Sequence, residues 1–156
     1  MLKNKKAISE TISFVLLILL VLVSSIVVYK FSTNMMEEKK IDFEYKKMNL
    51  LMKRLNYKLQ ELKNFDKSSF TFPINLEMGN IIVVGNELKY LSKKEFYGAN
   101  YCLDEICYSG NQGYEIISLM LDNGYQFEST FSIIPGNYII KFENDKNISK
   151  IKILVE

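Results

Sequence analysis

The chain has 156 residues, enough for one ordinary domain plus an anchor, and 48% of them are apolar. A formal net charge of +2 is too small to argue for a nucleic-acid partner, and the complete lack of histidine removes the commonest general base and metal ligand. No Gly-rich phosphate loop, nucleophile elbow or His-containing constellation is present, so the sequence points away from an enzyme and calls for no cofactor.

The charges are unevenly divided. Lys3, Lys5 and Lys6 give a leader of +3. Residues 30–63 hold nine Lys/Arg against five Asp/Glu, and residues 64–156 hold eight Lys against twelve Asp/Glu. A basic middle followed by an acidic distal part predicts two surfaces of opposite sign.

From Thr11 to Tyr29 no residue is charged, and from Phe14 to Val23 every residue is apolar. Nineteen helical residues span roughly 28 Å, close to the ~30 Å hydrocarbon core of a bilayer. The run is longer than the roughly 7–15-residue core of a secretory signal peptide, and no A-x-A-like cleavage site follows it. A retained, membrane-inserted helix in contact with lipid is expected. The three leader lysines predict a single pass at the cell membrane, with the N-terminus cytoplasmic and the C-terminal domain extracytoplasmic.

The junction Lys5-Lys6-Ala7-Ile8-Ser9-Glu10 admits two readings. One is a helix start, with Ser9 as N-cap and Glu10 in the first turn, favourable to the helix dipole. The other comes from the wider pattern. Two basic residues, Ala7, Ile8, Ser9 and a long aliphatic run ending in Tyr29-x-Phe31 resemble the N-termini of archaeal type IV pilins and archaellins. That resemblance covers residues 3–31 closely. It implies a class III signal peptide, which a prepilin peptidase cuts ahead of the hydrophobic helix. Lys5 and Lys6 then precede the cut, Ala7 is the last leader residue and Ile8 the new N-terminus. Removing residues 1–7 takes away all three leader lysines and leaves a net charge near −1. Those lysines pin the helix in lipid, because drawing them through hydrocarbon is costly. Without them the helix can bury the same apolar surface against copies of itself, in a homo- or hetero-polymer with other pilin-like subunits. Glu10, standing where many members have Pro, is the candidate assembly residue, placed to pair with a neighbour's new amino group.

Residues 35–63 lack Gly and Pro and are rich in Met, Leu, Lys and Glu, all good helix formers. Ile41, Tyr45, Met48, Met52, Leu55, Leu59 and Leu62 recur at alternating steps of four and three, one continuous apolar stripe. Lys40, Glu44, Lys47, Arg54, Lys58 and Glu61 fall on the polar face. One helix from about Ile8 to Lys63 is expected, with Ser32-Thr33-Asn34 as its weak point. The stripe has three possible destinations: the protein's own sheet, a short coiled coil between copies, or the lipid surface.

Beyond Lys63 the composition turns to Phe, Tyr, Ile, Val and Thr with frequent turn signals. Phe70-Thr71-Phe72 enters a strand that Pro73 interrupts at a sheet edge. Ile81–Val84, Gly85-Asn86 and Leu88–Leu91 read as a hairpin. Tyr114–Leu121, Asn123-Gly124 and Tyr125–Ile134 read as a second. Pro135-Gly136 turns into 137–142, and Asp145-Lys146-Asn147 into 148–155. About seven strands in a small antiparallel sandwich are expected. The whole is thus α+β: a leader over 1–7, a hydrophobic helix over 8–31, an amphipathic helix over 32–64 and an exported β-sandwich-like head over 65–156.

Cys102 and Cys107 enclose four residues. In an exported domain they are expected to form a disulfide that staples a hairpin tip. The lack of further Cys or His argues against metal, and the spacing is not Cys-x-x-Cys. Asn147-Ile148-Ser149 is a glycosylation sequon in an expected turn, which makes Asn147 a candidate acceptor. Tyr97, Tyr101 and Tyr108 form a candidate adhesive cluster.

Overall fold

The computed structural model describes residues 2–64, 69–96, 98–111, 113–122, 124–145 and 149–155. The first element, α1, spans Leu2–Asn64 without a break. Its start corrects the expected cap. With the helix beginning at Leu2, Ser9 is not the N-cap and Glu10 is not in the first turn. The leader residues between them are neither Gly nor Pro, so nothing stops the helix from reaching back. The expected weak point is also helical. The Thr33 hydroxyl donates to the Tyr29 carbonyl at 3.1 Å and to that of Lys30 at 2.9 Å, which satisfies it within its own helix. Two compact units divide the chain, Met1–Lys39 and Lys40–Glu156, and the boundary falls inside α1.

The second unit adds ten strands to the distal part of α1. They are β1 (Ser69–Leu76), β2 (Asn80–Val84), β3 (Glu87–Ser92), β4 (Tyr101–Leu103), β5 (Ile106–Asn111), β6 (Tyr114–Met120), β7 (Gln126–Phe127), β8 (Phe131–Ile133), β9 (Gly136–Asp145) and β10 (Lys150–Val155). One sheet has the order β1-β9-β10-β7, the other β4-β5-β6-β3-β2-β8. All pairings are antiparallel except β7 with β10, so the first sheet is mixed. The count exceeds the expected seven because β4, β7 and β8 are only two or three residues long.

Three local readings hold. The β2–β3 hairpin closes through Gly85-Asn86, with Gly85 at a φ of 59° in the first central position, as a type II′ turn requires. β9 and β10 form the last hairpin. Pro73 lies on the edge strand β1, where a missing amide hydrogen is tolerated. It does not interrupt that strand, which runs on to Leu76 and pairs Pro73 with Ile139.

The expected hairpin about Asn123-Gly124 is overturned. β6 pairs with β3 and β5, whereas β7 lies in the other sheet beside β10 and β8 pairs with β2. The chain changes sheets here instead of folding back. The competing attachments are visible: the Phe127 amide donates to the Gly85 carbonyl at 2.8 Å and the Glu128 amide to that of Ile151 at 3.0 Å. Asn123 itself lies outside the described residues. So does Asn147 of the sequon, and so does Tyr97.

The amphipathic stripe packs on the protein's own sheets. Tyr45, Met48, Met52, Leu55, Leu59 and Leu62 are buried in one cluster with Ile74, Ile140 and Phe142 of the first sheet and Ile81, Leu88, Tyr90 and Ile117 of the second. Each such side chain contributes roughly 1.5–3 kcal/mol by leaving water. The coiled-coil and lipid destinations for this stripe are therefore excluded.

Candidate functional site

Every residue of α1 from Ile12 to Lys40 is exposed, including the aliphatic run Phe14 to Val23. By length and composition this is a helix able to cross a membrane. Ser24 and Ser25 within it do not spoil its apolar surface. Ser24 Oγ donates to the Leu20 carbonyl and Ser25 Oγ to the Val21 carbonyl, each at 2.8 Å, so neither hydroxyl needs water. Upstream, the backbone of Lys5, Lys6, Ala7, Ile8 and Glu10 is helical, which places the Ala7–Ile8 bond inside α1. Their side chains lie outside the described residues.

The head is fastened to its helix by a buried carboxylate. Glu44 is only 4% exposed, which removes it from the polar face on which the sequence pattern put it. Its Oε2 accepts from the backbone amides of Glu77 and Met78 at 2.7 and 2.8 Å. Its Oε1 accepts from the Gly79 amide and the Tyr90 hydroxyl, both at 2.8 Å. Four donors around one carboxylate offset the cost of burying the charge. Gly79 is required here, since a Cβ would sit 2.4 Å from the Tyr90 ring. Beside this clamp, Tyr45 donates to Glu115, and Lys94 lies 4.6 Å from the centre of the Tyr45 ring and 2.9 Å from Asp42. Burial, then the hydrogen bond to Glu44, pushes the Tyr90 phenol above its usual range. Burial, then the bond to Glu115, does the same for Tyr45.

The hairpin of β4 and β5 grips another side of the same helix. Cys102 and Cys107 are paired across the ladder and joined by a disulfide, as expected. Asp104 takes the tip position at a φ of 54°, which Asp tolerates better than most residues. Glu105 accepts from Asn56 Nδ2 at 2.9 Å and Gln60 Nε2 at 3.0 Å, and the Tyr108 hydroxyl donates to Asn49 Oδ1 at 2.7 Å. The Asn56 amide is the main reason the Glu105 carboxyl is held below the ordinary glutamate range. Tyr101 stacks on Tyr108 with ring centres 4.8 Å apart, so these two members of the candidate tyrosine cluster do meet.

One surface of the distal helix remains uncovered. Phe43, Leu50 and Tyr57 are 69%, 61% and 62% exposed. They recur every seventh residue, and the intervals carry Lys46-Lys47 and Lys53-Arg54. That repeat is readable in the sequence as a second apolar series, offset from the core stripe. Among the described residues no group of three or more His, Cys, Asp or Glu could hold a metal ion. Comparison with known proteins gives no match to a family model, to a characterised relative or to a solved structure.

Proposed function

We propose that the chain is a type IV pilin-like structural subunit, major or minor, of an archaeal surface filament. The observation that carries this reading is the helix of residues 12–40: it is exposed along its whole length, and its charge-free part follows a short basic leader. An apolar helix of that size needs a partner surface, and lipid and copies of itself are the two available. In this reading the helix is first held in the cell membrane, with the head outside. A prepilin peptidase then removes residues 1–7, and the helices bundle into a filament core with the heads outward. Glu10 pairs with a neighbour's new amino terminus. The head contributes no chemistry; its role is to be displayed.

The same exposed helix is satisfied by lipid alone, and that supports a second reading: a single-pass anchored protein with an extracytoplasmic β domain. N-terminal sequencing of the mature protein separates them. A start at Ile8 is expected, and a start at Met1 or Leu2 would sink the filament reading. Absence of surface filaments by electron microscopy in a strain lacking the protein is the second expected result for a major subunit.

A further inference from the structure

Around the exposed series Phe43, Leu50 and Tyr57 the distal helix carries five cations, Lys46, Lys47, Lys53, Arg54 and Lys58, against two carboxylates, Asp42 and Glu61. Some are engaged: Lys46 pairs with Asp42, Lys58 with Glu61, and Lys47 donates to the Asn75 carbonyl. Lys53 and Arg54 make no ion pair with another described residue. They line a groove of about 480 Å³ between the helix and edge strand β1, together with Tyr57, Lys58, Phe70, Thr71 and Phe72. The groove thus combines three aromatic side chains with three cations. A second copy of the same face would bring like charges together, which disfavours pairing of this surface with itself.

The same unit carries the opposite pattern elsewhere. The stapled hairpin exposes Tyr101 (51%) and Leu103 (58%) next to the exposed carboxylate of Asp104. Asp104 has no ion pair with another described residue. The disulfide fixes this tip in advance, so little entropy is lost when it docks. Uncompensated charge of opposite sign, with apolar side chains beside it, thus sits on two separate surfaces of one unit.

We infer that the hairpin tip at Leu103-Asp104 of one copy docks into the groove at Arg54, Tyr57 and Phe70 of the next. The inference rests on the filament reading and names one contact between its heads. The two surfaces differ, so the contact is heterologous and propagates along an open assembly instead of closing into a dimer. One exposed ion pair adds little affinity by itself. The charges set register and partner, and the many linked contacts of a polymer supply the strength.

The test is photo-crosslinking of the full chain in its own membrane, with p-benzoylphenylalanine in place of Tyr57. Only adducts of dimer mass are mapped, so a link to the chain's own hairpin is not counted. Adducts to residues 101–105 of a second copy are expected. Asp104→Asn, which keeps a residue tolerant of positive φ, and Arg54→Gln are each expected to lower the yield by up to about fivefold. Retention of the disulfide in each variant shows that the hairpin still forms. Adducts between copies at other residues, or adducts to lipid, would overturn the contact. N-terminal sequencing of the same sample tells the two failures apart. A chain that starts at Ile8 and gives no adduct at 101–105 loses this contact alone; a chain that starts at Met1 or Leu2 loses the filament reading as well.

Discussion

Glu44 accepts from three successive backbone amides and the Tyr90 hydroxyl, with both oxygens occupied. Glu44→Gln keeps the shape but turns one oxygen into a donor that faces two donors. A cost of about 3 kcal/mol is expected, read as a lower urea midpoint for the head. Tyr90→Phe removes one of the four bonds and is expected to cost less. Neither role was readable beforehand. Glu44 flanks the stripe, and only the fold brings the amides of residues 77–79 to it. The buried phenols of Tyr45 and Tyr90 give a pH prediction. Their folded pKa values are raised above the unfolded value, which is about 10. They therefore add stability that is fully present below that value and is lost as pH rises above it. Phenolate absorbance followed against pH, alongside a probe of the fold, is the measurement that checks this. Tyr45 and Tyr90 should ionise only together with alkaline unfolding; smooth titration of every tyrosine with the fold intact would refute this.

Among the elements, the β4–β5 hairpin is the one whose covalent link was foreseen and whose purpose was not. The short spacing of Cys102 and Cys107 implied a staple. That the staple holds Glu105 and Tyr108 against Asn49, Asn56 and Gln60 of the helix follows only from the fold. Replacing both cysteines by serine should cost about 2 kcal/mol, the chain-entropy value for so short a loop. Hydrogen exchange should show faster opening at 101–108 than at β2 or β3, and uniform protection would count against the clasp. The same contrast runs through the rest of the fold. Elements fixed by local chemistry were legible: the period of the α1 stripe, the Gly85 turn, and the β9–β10 return. Elements fixed by a distant partner were not. Asn123-Gly124 has hairpin composition, yet Phe127 and Glu128 bond to Gly85 and Ile151 and carry the chain to the other sheet. The second series, Phe43, Leu50 and Tyr57, was present in the sequence but hidden behind the stronger core stripe.

For the whole molecule, the division at Lys39/Lys40 separates an apolar helix that buries none of its described side chains from a unit that contains a core. A chain cut to residues 40–156 is therefore expected to fold in water without detergent. It retains fifteen Lys/Arg and fifteen Asp/Glu, a net charge of zero. Those charges are unevenly divided: residues 40–63 hold seven Lys/Arg against three Asp/Glu, and residues 64–156 eight Lys against twelve Asp/Glu. A neutral protein with its signs unevenly divided has little overall repulsion to keep copies apart. At low ionic strength the screening length exceeds the size of the contact, about 30 Å at 0.01 M; at 1 M it is about 3 Å. Sedimentation velocity of this fragment should show weak, concentration-dependent association at low salt that reverses to monomer as salt is raised. Arg54→Gln or Asp104→Asn should reduce the low-salt association and leave the high-salt monomer unchanged. A fragment that stays monomeric at every salt concentration would argue that the unevenly divided charges have no partner in a second copy. Association that strengthens with salt would place the driving force in the apolar side chains Phe43, Leu50 and Tyr57 instead, since burial of apolar surface is favoured as exposed charges are screened.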